Sequence, residues 1–292
     1  MFVSFTERLN FGMGGGTVSQ PSTFPTKTIG QLGNFNTFAV NFINAAGITD
    51  PTQQSAINQL ATGLVVTGLM DKLVAIYPFV GGTASTHAYN LKDPRNLDAA
   101  FRLTFSGGIT HSSSGVWFNG SNGFANTFWV PPLYFNNNMS FALYSTQNIV
   151  GGSFPVDIGN GQNTFSGVPG QAAYIRRSGN ECLGNFTSWT VAGSVTGTVT
   201  DARGLYVFTI TANNLRRIYR NGSILATSTT TLDQNVYPQA TYIGCGNFAG
   251  TAGLFSFREF AFVSIGFGLS ETDNALLYNI IQAYQQTLNR AV

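Results

Sequence analysis

The chain is 292 residues long, 9% charged and 13% aromatic, with a formal net charge of +2. So many aromatics with so few charges exclude a disordered chain, and the near-neutral balance excludes the clustered basic surface of a nucleic-acid binder. Two cysteines, Cys182 and Cys245, exclude a disulfide framework, and a fold of this size is expected to leave both as free thiols.

Glycine is frequent at 34 residues, and Ser, Thr and Asn fill much of the rest, which suits short strands, many turns and a surface solvated by hydroxyls and amides. No apolar run reaches membrane-spanning length, so membrane insertion is not expected. The opening MFVSFTERLN has an acidic residue and no apolar h-region, so no signal peptide is expected. The sequons at Asn119, Asn138, Asn185 and Asn221 then read as accidents of composition.

Residues 1–48 hold GMGGG, Pro21 and Pro25, together with Phe2, Phe5, Phe11, Phe24 and Phe35. A Gly- and Pro-punctuated segment cannot build a core alone, and its phenylalanines point to an arm that docks on a partner. Residues 49–96 read as a helical connector. Asp50 caps a helix with Pro51 at its first position, and Ile57, Leu60, Leu64 and Val65 recur at helical spacing.

From residue 97 the strand signal takes over. Residues 101–105 alternate Phe, Arg, Leu, Thr, Phe. Further strands are expected over 116–118, 124–129, 139–144, 154–158, 172–177 and 187–192. A meander follows over 204–230, in which Asn221-Gly222 predicts a type I′ hairpin turn. Strands over 240–245 and 255–265 complete the set, and a bulge near Arg258-Glu259 would reconcile the changed parity of the phenylalanines. The chain closes with a helix capped by Ser270 and Asp273, whose apolar face is Leu277, Ile280, Ile281, Tyr284 and Leu288.

Three segments, in order, resemble the concanavalin A-like, laminin-G-type jelly-roll domains. They are LDAAFRLTFSGG with GVWFNGSNGFANT, then GLYVFTI with LRRIYRNGSILATS, then YIGCGNFAGTAGLFSFREFAFVSIGFGLSETDNALLYNII. The fold class expected is therefore all-β: a two-sheet antiparallel jelly-roll sandwich over residues 97–292, with an N-terminal helix and arm and a short C-terminal helix. ITDPTQQSAINQL, YPFVGGTAS and NLKDPRNLDAAFRLTF further resemble jelly-roll proteins of tailed bacteriophage virions. That resemblance implies a structural particle component, such as a head fibre, tail fibre or decoration protein. Its arm would attach to other virion proteins, its assembly would be a homotrimer, and it would be made in the host cytoplasm. The alternative is a glycan-binding receptor module on the same particle.

No strand carries the paired carboxylates that glycoside hydrolysis needs, no nucleophile elbow occurs, and His87 and His111 lack zinc-ligand spacing, so no enzyme and no cofactor are expected. His111 reads as a solvated or backbone-bonded turn residue. The family often binds calcium on a rim, for which Asp157 and Asp201 are isolated candidates. Sugars are held by exposed aromatics beside amides. Trp129, Tyr134 and Phe135 with Asn136 and Asn137 form one such group, and Trp189 is another candidate.

Overall fold

The computed structural model describes residues 35–131, 137–152, 154–162, 170–186, 193–231 and 237–292. Asn36 caps α1 (Thr37–Ala46) by accepting from the Phe38 amide. Asp50 caps α2 (Pro51–Val66) by accepting from Gln53 N at 2.8 Å, with Pro51 opening the helix as predicted. Then α3 (Leu69–Lys72) runs into strand β1 (Leu73–Tyr77), and α4 (Ala84–His87) is one capped turn.

Two expectations are corrected here. Residues 37–48 belong to the folded body and not to an arm, because Ala39, Phe42 and Ile43 are buried. The connector is not purely helical either, since the apolar, β-branched run LVAIY pairs with the last strand of the sandwich.

The first sheet has eight strands. Its order is β13 (Ser223–Ser228), β12 (Leu215–Arg220), β11 (Gly204–Ala212), β6 (Met139–Ser145), β17 (Glu259–Gly266), β4 (Gly115–Phe118) and β3 (Ile109–Ser112), with β1 beside β17. The second has nine, in the order β10 (Ser194–Thr198), β9 (Glu181–Asn185), β8 (Gly170–Arg177), β7 (Ile158–Gly161), β14 (Tyr242–Ile243), β5 (Phe124–Asn126) and β2 (Thr104–Ser106). The hairpin of β15 (Gly246–Phe248) and β16 (Thr251–Gly253) joins this sheet by a parallel pairing of β15 with β7, and the other pairings between strands are antiparallel.

The two sheets pack face to face over one apolar core. Leu143, Phe208, Ile218, Phe260 and Ile265 come from the first sheet, and Ala125, Ile158, Ala173, Ile175 and Val195 from the second. The meander forms as predicted. Asn221 and Gly222 take φ of 49° and 78°, the positive pair that a type I′ turn requires.

The last strand does bulge, but one turn of the pleat later than expected. Phe260 pairs with Ser145 and Phe262 with Tyr144, so Ala261 is the extra residue. Phe260 and Phe262 therefore face opposite ways. Phe260, Val263 and Ile265 enter the core, while Phe262 lies on the side of Tyr144. The expected strand over 101–105 shrinks to Thr104–Ser106, because Phe101 ends a 3-10 turn at φ 58°. The strand expected over 187–192 lies outside the described residues.

The C-terminal helix α5 (Glu271–Thr287) is 17 residues long rather than short. Ser270 and Asp273 form the reciprocal capping box, and Lys72 pairs with Asp273 at 2.6 Å. The helix covers the outer face of the first sheet. Tyr144 Oη donates to Gln282 at 3.2 Å, and Tyr284 Oη donates to the Pro78 carbonyl at 2.7 Å. Helix α2 packs on it where Gly63 admits Ile280: a Cβ at Gly63 would sit 3.1 Å from two Ile280 carbons. Removing the cap should show how much this cover depends on its first turn. Ser270→Ala is expected to cost about 1–2 kcal/mol, read as a lowered urea midpoint at unchanged slope.

Candidate functional site

The two outer faces differ in what lies on them. Among the described residues, helices cover the first sheet, whereas the β15–β16 hairpin lies on the second. There Val156, Ala172, Tyr174, Leu183 and Phe248 make a small apolar cluster separate from the main core.

The register of β8, β9 and β10 orders the outward positions of this sheet, buried at Ala172, Tyr174, Leu183 and Asn185 and accessible at Arg177, Glu181 and along β10. Ala172 stands opposite Asn185 and Ser194, Tyr174 opposite Leu183 and Thr196, and Arg177 opposite Glu181 and Thr198. The alternate positions Ala173, Ile175, Cys182 and Val195 enter the core, so these three rows point outward. Strand β8 carries one extra residue between Tyr174 and Arg177, which brings Arg177 onto the same face as Tyr174.

Aromatic and polar groups converge at the third row. The Arg177 guanidinium lies 5.3 Å from the centre of the Phe154 ring and 5.8 Å from that of Tyr174. Its Nε donates to Glu181. Phe154 is 55% exposed, an unusual state for a large aromatic in this chain. Thr196 and Thr198, two strands away on β10, are exposed. Arg176 is tied down at the edge, donating to Asn148 at 2.6 Å and to Asn180 at 2.6 and 3.0 Å.

Beneath this surface lies a buried ion pair. Arg258 Nε is 3.2 Å from Asp157 Oδ1, with both side chains almost fully enclosed. Asp157 also accepts from Ser256 Oγ at 2.6 Å and from the Ile175 amide at 2.7 Å. Arg258 donates to the carbonyls of Ile149 at 2.8 Å and Arg176 at 2.5 Å. Asp157 is thus an internal counter-ion whose two oxygens are already in use, and not a rim ligand for calcium. Asp201 is held by Arg203 at 2.8 Å, and its carboxyl is lowered to about 2 chiefly by that hydrogen bond. Among the described residues, no group of three or more His, Cys, Asp or Glu is placed to hold a metal ion.

The aromatic group singled out in the sequence is not assembled as expected. Trp129 is 0% exposed and meets Phe141 edge-to-face at 6.0 Å, so it is a core residue and not a sugar platform. Its main chain is fixed by Thr127 Oγ1 and by the Thr241 amide, which leaves the ring one direction, inward. Tyr134, Phe135 and Asn136 lie outside the described residues, as does Trp189. Asn137 is half-buried at φ 52°, and Asn138 accepts from the Gly268 amide at 2.7 Å. Cys182 and Cys245 are free, as expected, and buried, with burial raising both thiols.

The two histidines do meet, against the reading of His111 as a solvated turn residue. Their Nδ1 atoms lie 3.0 Å apart. Gly82 N donates to His87 Nε2 at 3.2 Å, so the His87 proton sits on Nδ1 and is given to His111. Burial, His111 and Arg290 push the His87 imidazole down to about 3, and burial lowers His111 as well.

Two surface cavities, of about 160 and 170 Å³, lie elsewhere: one between β11, β12 and the start of α5, the other between the start of α2 and the end of α5. The charged groups of the first, Arg217 and Glu271, approach each other at 3.5 Å.

No protein-family model and no curated protein matches this sequence. Solved structures with a similar arrangement include domain 4 of AbnA, an extracellular GH43 arabinanase from Geobacillus stearothermophilus solved with arabinotriose. It is 13% identical over 71% of this chain and 98% of that one, with a TM-score of 0.48. The binding domain of Paraclostridial Mosquitocidal Protein 1 is 10% identical over 72% of this chain and 52% of that one, TM-score 0.46. The botulinum neurotoxin serotype D/C VPI 5993 binding domain is 12% identical over 73% and 53%, TM-score 0.46. The chain spans about half the length of the two toxin chains. Likenesses at these scores carry no functional argument.

Two outcomes are expected from this geometry. Trp129→Ala should cost about 3–5 kcal/mol in denaturant titrations, as loss of a core ring does. Acid should weaken the fold through His87. Its folded value lies below the unfolded 6.5, so the unfolded chain binds the extra proton in between. The neutral ring contributes fully above about pH 6.5, and that contribution falls away from there towards about pH 3. Between pH 7.5 and 5 the loss should approach about 2 kcal/mol, and His87→Asn should flatten that part of the profile.

Proposed function

We propose that this chain is a lectin-like recognition module that binds glycans without cleaving them, carried as a structural component of a bacteriophage particle. The observation behind the glycan reading is the asymmetry of the sandwich. Among the described residues, helices lie on one outer face, while the other presents exposed Phe154 against Arg177, in a row that continues through Glu181 to Thr198. Exposed aromatic area ringed by hydroxyl and carboxylate groups is the chemistry that sugar recognition uses.

The engagement of the acids supports binding over catalysis. Glu181 is bound by Arg177, Asp157 by Arg258, Asp201 by Arg203 and Asp273 by Lys72, and Glu259 accepts from Thr146 at 2.5 Å. A hydrolase would need one carboxyl held protonated and a second free at a fixed distance from it. The particle setting rests on the resemblance of residues 48–60, 77–85 and 90–105 to jelly-roll proteins of tailed-phage virions. In that setting the segment before Phe35 attaches the module to other virion proteins, and the assembly is a homotrimer.

Two measurements test this. The intact chain, immobilised, should retain surface polysaccharide of a susceptible host without generating new reducing ends. Labelled antibody against the chain should decorate purified particles. Release of reducing ends would make it an enzyme, and failure to retain any glycan would remove the lectin reading.

A further inference from the structure

We infer that residues 81–87 form a surface flap latched to the sandwich by the His87–His111 hydrogen bond, and that acid releases the flap by putting a proton on that pair. This device belongs to the scaffold and does not depend on the glycan reading.

The flap hangs between two anchors. Phe79 and Ala88 are both buried in the main core, and the Ala88 carbonyl accepts from Leu103 N at 2.8 Å. Between them Thr83, Ala84 and Ser85 are exposed, Gly81, Gly82 and Thr86 are half-buried, and His87 is buried. Gly81 and Gly82 take φ of 90° and 71°, left-handed values that glycine adopts at little steric cost, which gives the flap a hinge beside its first anchor. The Thr83–Thr86 capping box and the bond from His87 N to the Thr83 carbonyl lie within the flap itself. Gly81 N donating to Gln53 Oε1 at 2.8 Å and His87 donating to His111 at 3.0 Å tie it to the rest of the molecule. Gly82 rests on β3, the last strand of the first sheet: a Cβ there would sit 3.5 Å from the main chain of Ser112 and Ser113.

The latch has no place for a further proton. Gly82 N donates to His87 Nε2, His87 Nδ1 donates to His111 Nδ1, and the His111 proton is therefore on Nε2. A proton added to His87 would face the Gly82 amide donor to donor. One added to His111 Nδ1 would face the His87 N–H in the same way, so either breaks a bond of the latch. Phe79 packs on His87 at 5.6 Å and Phe105 on His111 at 4.6 Å, apolar rings that offer an imidazolium no hydrogen bond. The cation near His87, Arg290, bridges the Phe79 carbonyl at 2.8 Å and the Ser113 carbonyl at 3.3 Å, and repels a second positive charge. Around them Tyr77 and Tyr284 donate their hydroxyls to the Phe101 and Pro78 carbonyls, and Asp50, across Val80 and Ser113, accepts from Gln53 N. Among the described residues neither ring is paired with an acid. Released into water, both rings regain the ordinary proton affinity of histidine, so the open form gains as pH falls below about 6.5.

Amide hydrogen exchange followed by NMR on the intact chain, corrected for the intrinsic pH dependence of exchange, tests the latch. Between about pH 7.5 and pH 5 the protection of Gly81, Gly82 and His87 should fall about tenfold or more. At the lower pH these amides should exchange about a hundredfold faster than those of β6 and β11, because the flap opens while the sandwich stays folded. His87→Asn combined with His111→Asn should remove the pH dependence of the flap. The wild-type chain gives an independent reading should that variant not fold: imidazole nitrogen spectra at neutral pH are expected to place the protons on His87 Nδ1 and His111 Nε2. Flap protection that is the same at both pH values would overturn the inference. Flap amides exchanging no faster than the core would do so too, since the pair would then open only with the whole fold. A His87 proton found on Nε2, or a pH dependence that survives in the double variant, would equally remove the latch.

Discussion

Strand β8 carries one residue more than its neighbour β9 can pair, and the buried Asp157–Arg258 pair is what makes that excess tolerable. A bulge leaves a main-chain amide and carbonyl outside the ladder, and such groups are costly when sealed from water. Here the Ile175 amide goes to Asp157, and the Arg176 carbonyl to Arg258 and the Gly151 amide. The ion pair thus serves as the missing piece of backbone. Without the bulge Arg177 would turn towards the core, and the outward row of Arg177, Glu181 and Thr198 would not exist. Removing one partner of such a pair typically costs about 3–5 kcal/mol, because the other charge is stranded. Arg258 also reaches the Ile149 carbonyl, at the root of the loop that presents Phe154. One pair therefore holds main-chain carbonyls on both sides of the Arg177–Phe154 contact.

Much of the scaffold was legible from local rules. The caps at Asp50 and Ser270 and the turn at Asn221-Gly222 need only a few adjacent residues, and each formed as read. The meander and the two-sheet arrangement followed from period-2 runs separated by turn residues. What escaped was decided by partners distant in sequence. LVAIY at 73–77 is a strand because β17 offers it an edge nearly 190 positions later. The bulge in β17 falls at Ala261 because register with β6 places it there, and no pattern within residues 255–265 could fix that position.

The site was less legible than the fold, for a related reason. Asp157 and Arg258 both stood out in the sequence, one as a cation ligand and the other as a bulge marker. The first role was wrong and the second displaced, because neither residue signals that they meet across 101 positions. Trp129 drew attention through its Pro- and Asn-rich surroundings in sequence, yet its ring turns into the core. Phe154 sits in a glycine-flanked stretch that predicted a strand and gave no sign of exposure. Its contact with Arg177, at 5.3 Å, exists only because the bulge turns Arg177 outward.

The low charge of the chain takes on a physical meaning from where its cations go. Arg216, Arg258 and Arg290 are among its buried residues, and most of their hydrogen bonds run to main-chain carbonyls rather than to acids. Arg216 donates to Asn213 and Thr230, and Arg290 donates to Pro78, Phe79, Ser113 and Ala261. Lys92 does the same at the end of α3, holding the Met70 and Leu73 carbonyls at 2.7 and 2.6 Å. A guanidinium with five donors can satisfy several loop carbonyls that no ladder reaches. A sandwich with long connections has many such carbonyls, and here arginine is the staple that closes them. The exposed surface carries much Thr, Ser and Asn, and its outlying cations Arg95, Arg203 and Lys72 are each paired with an acid.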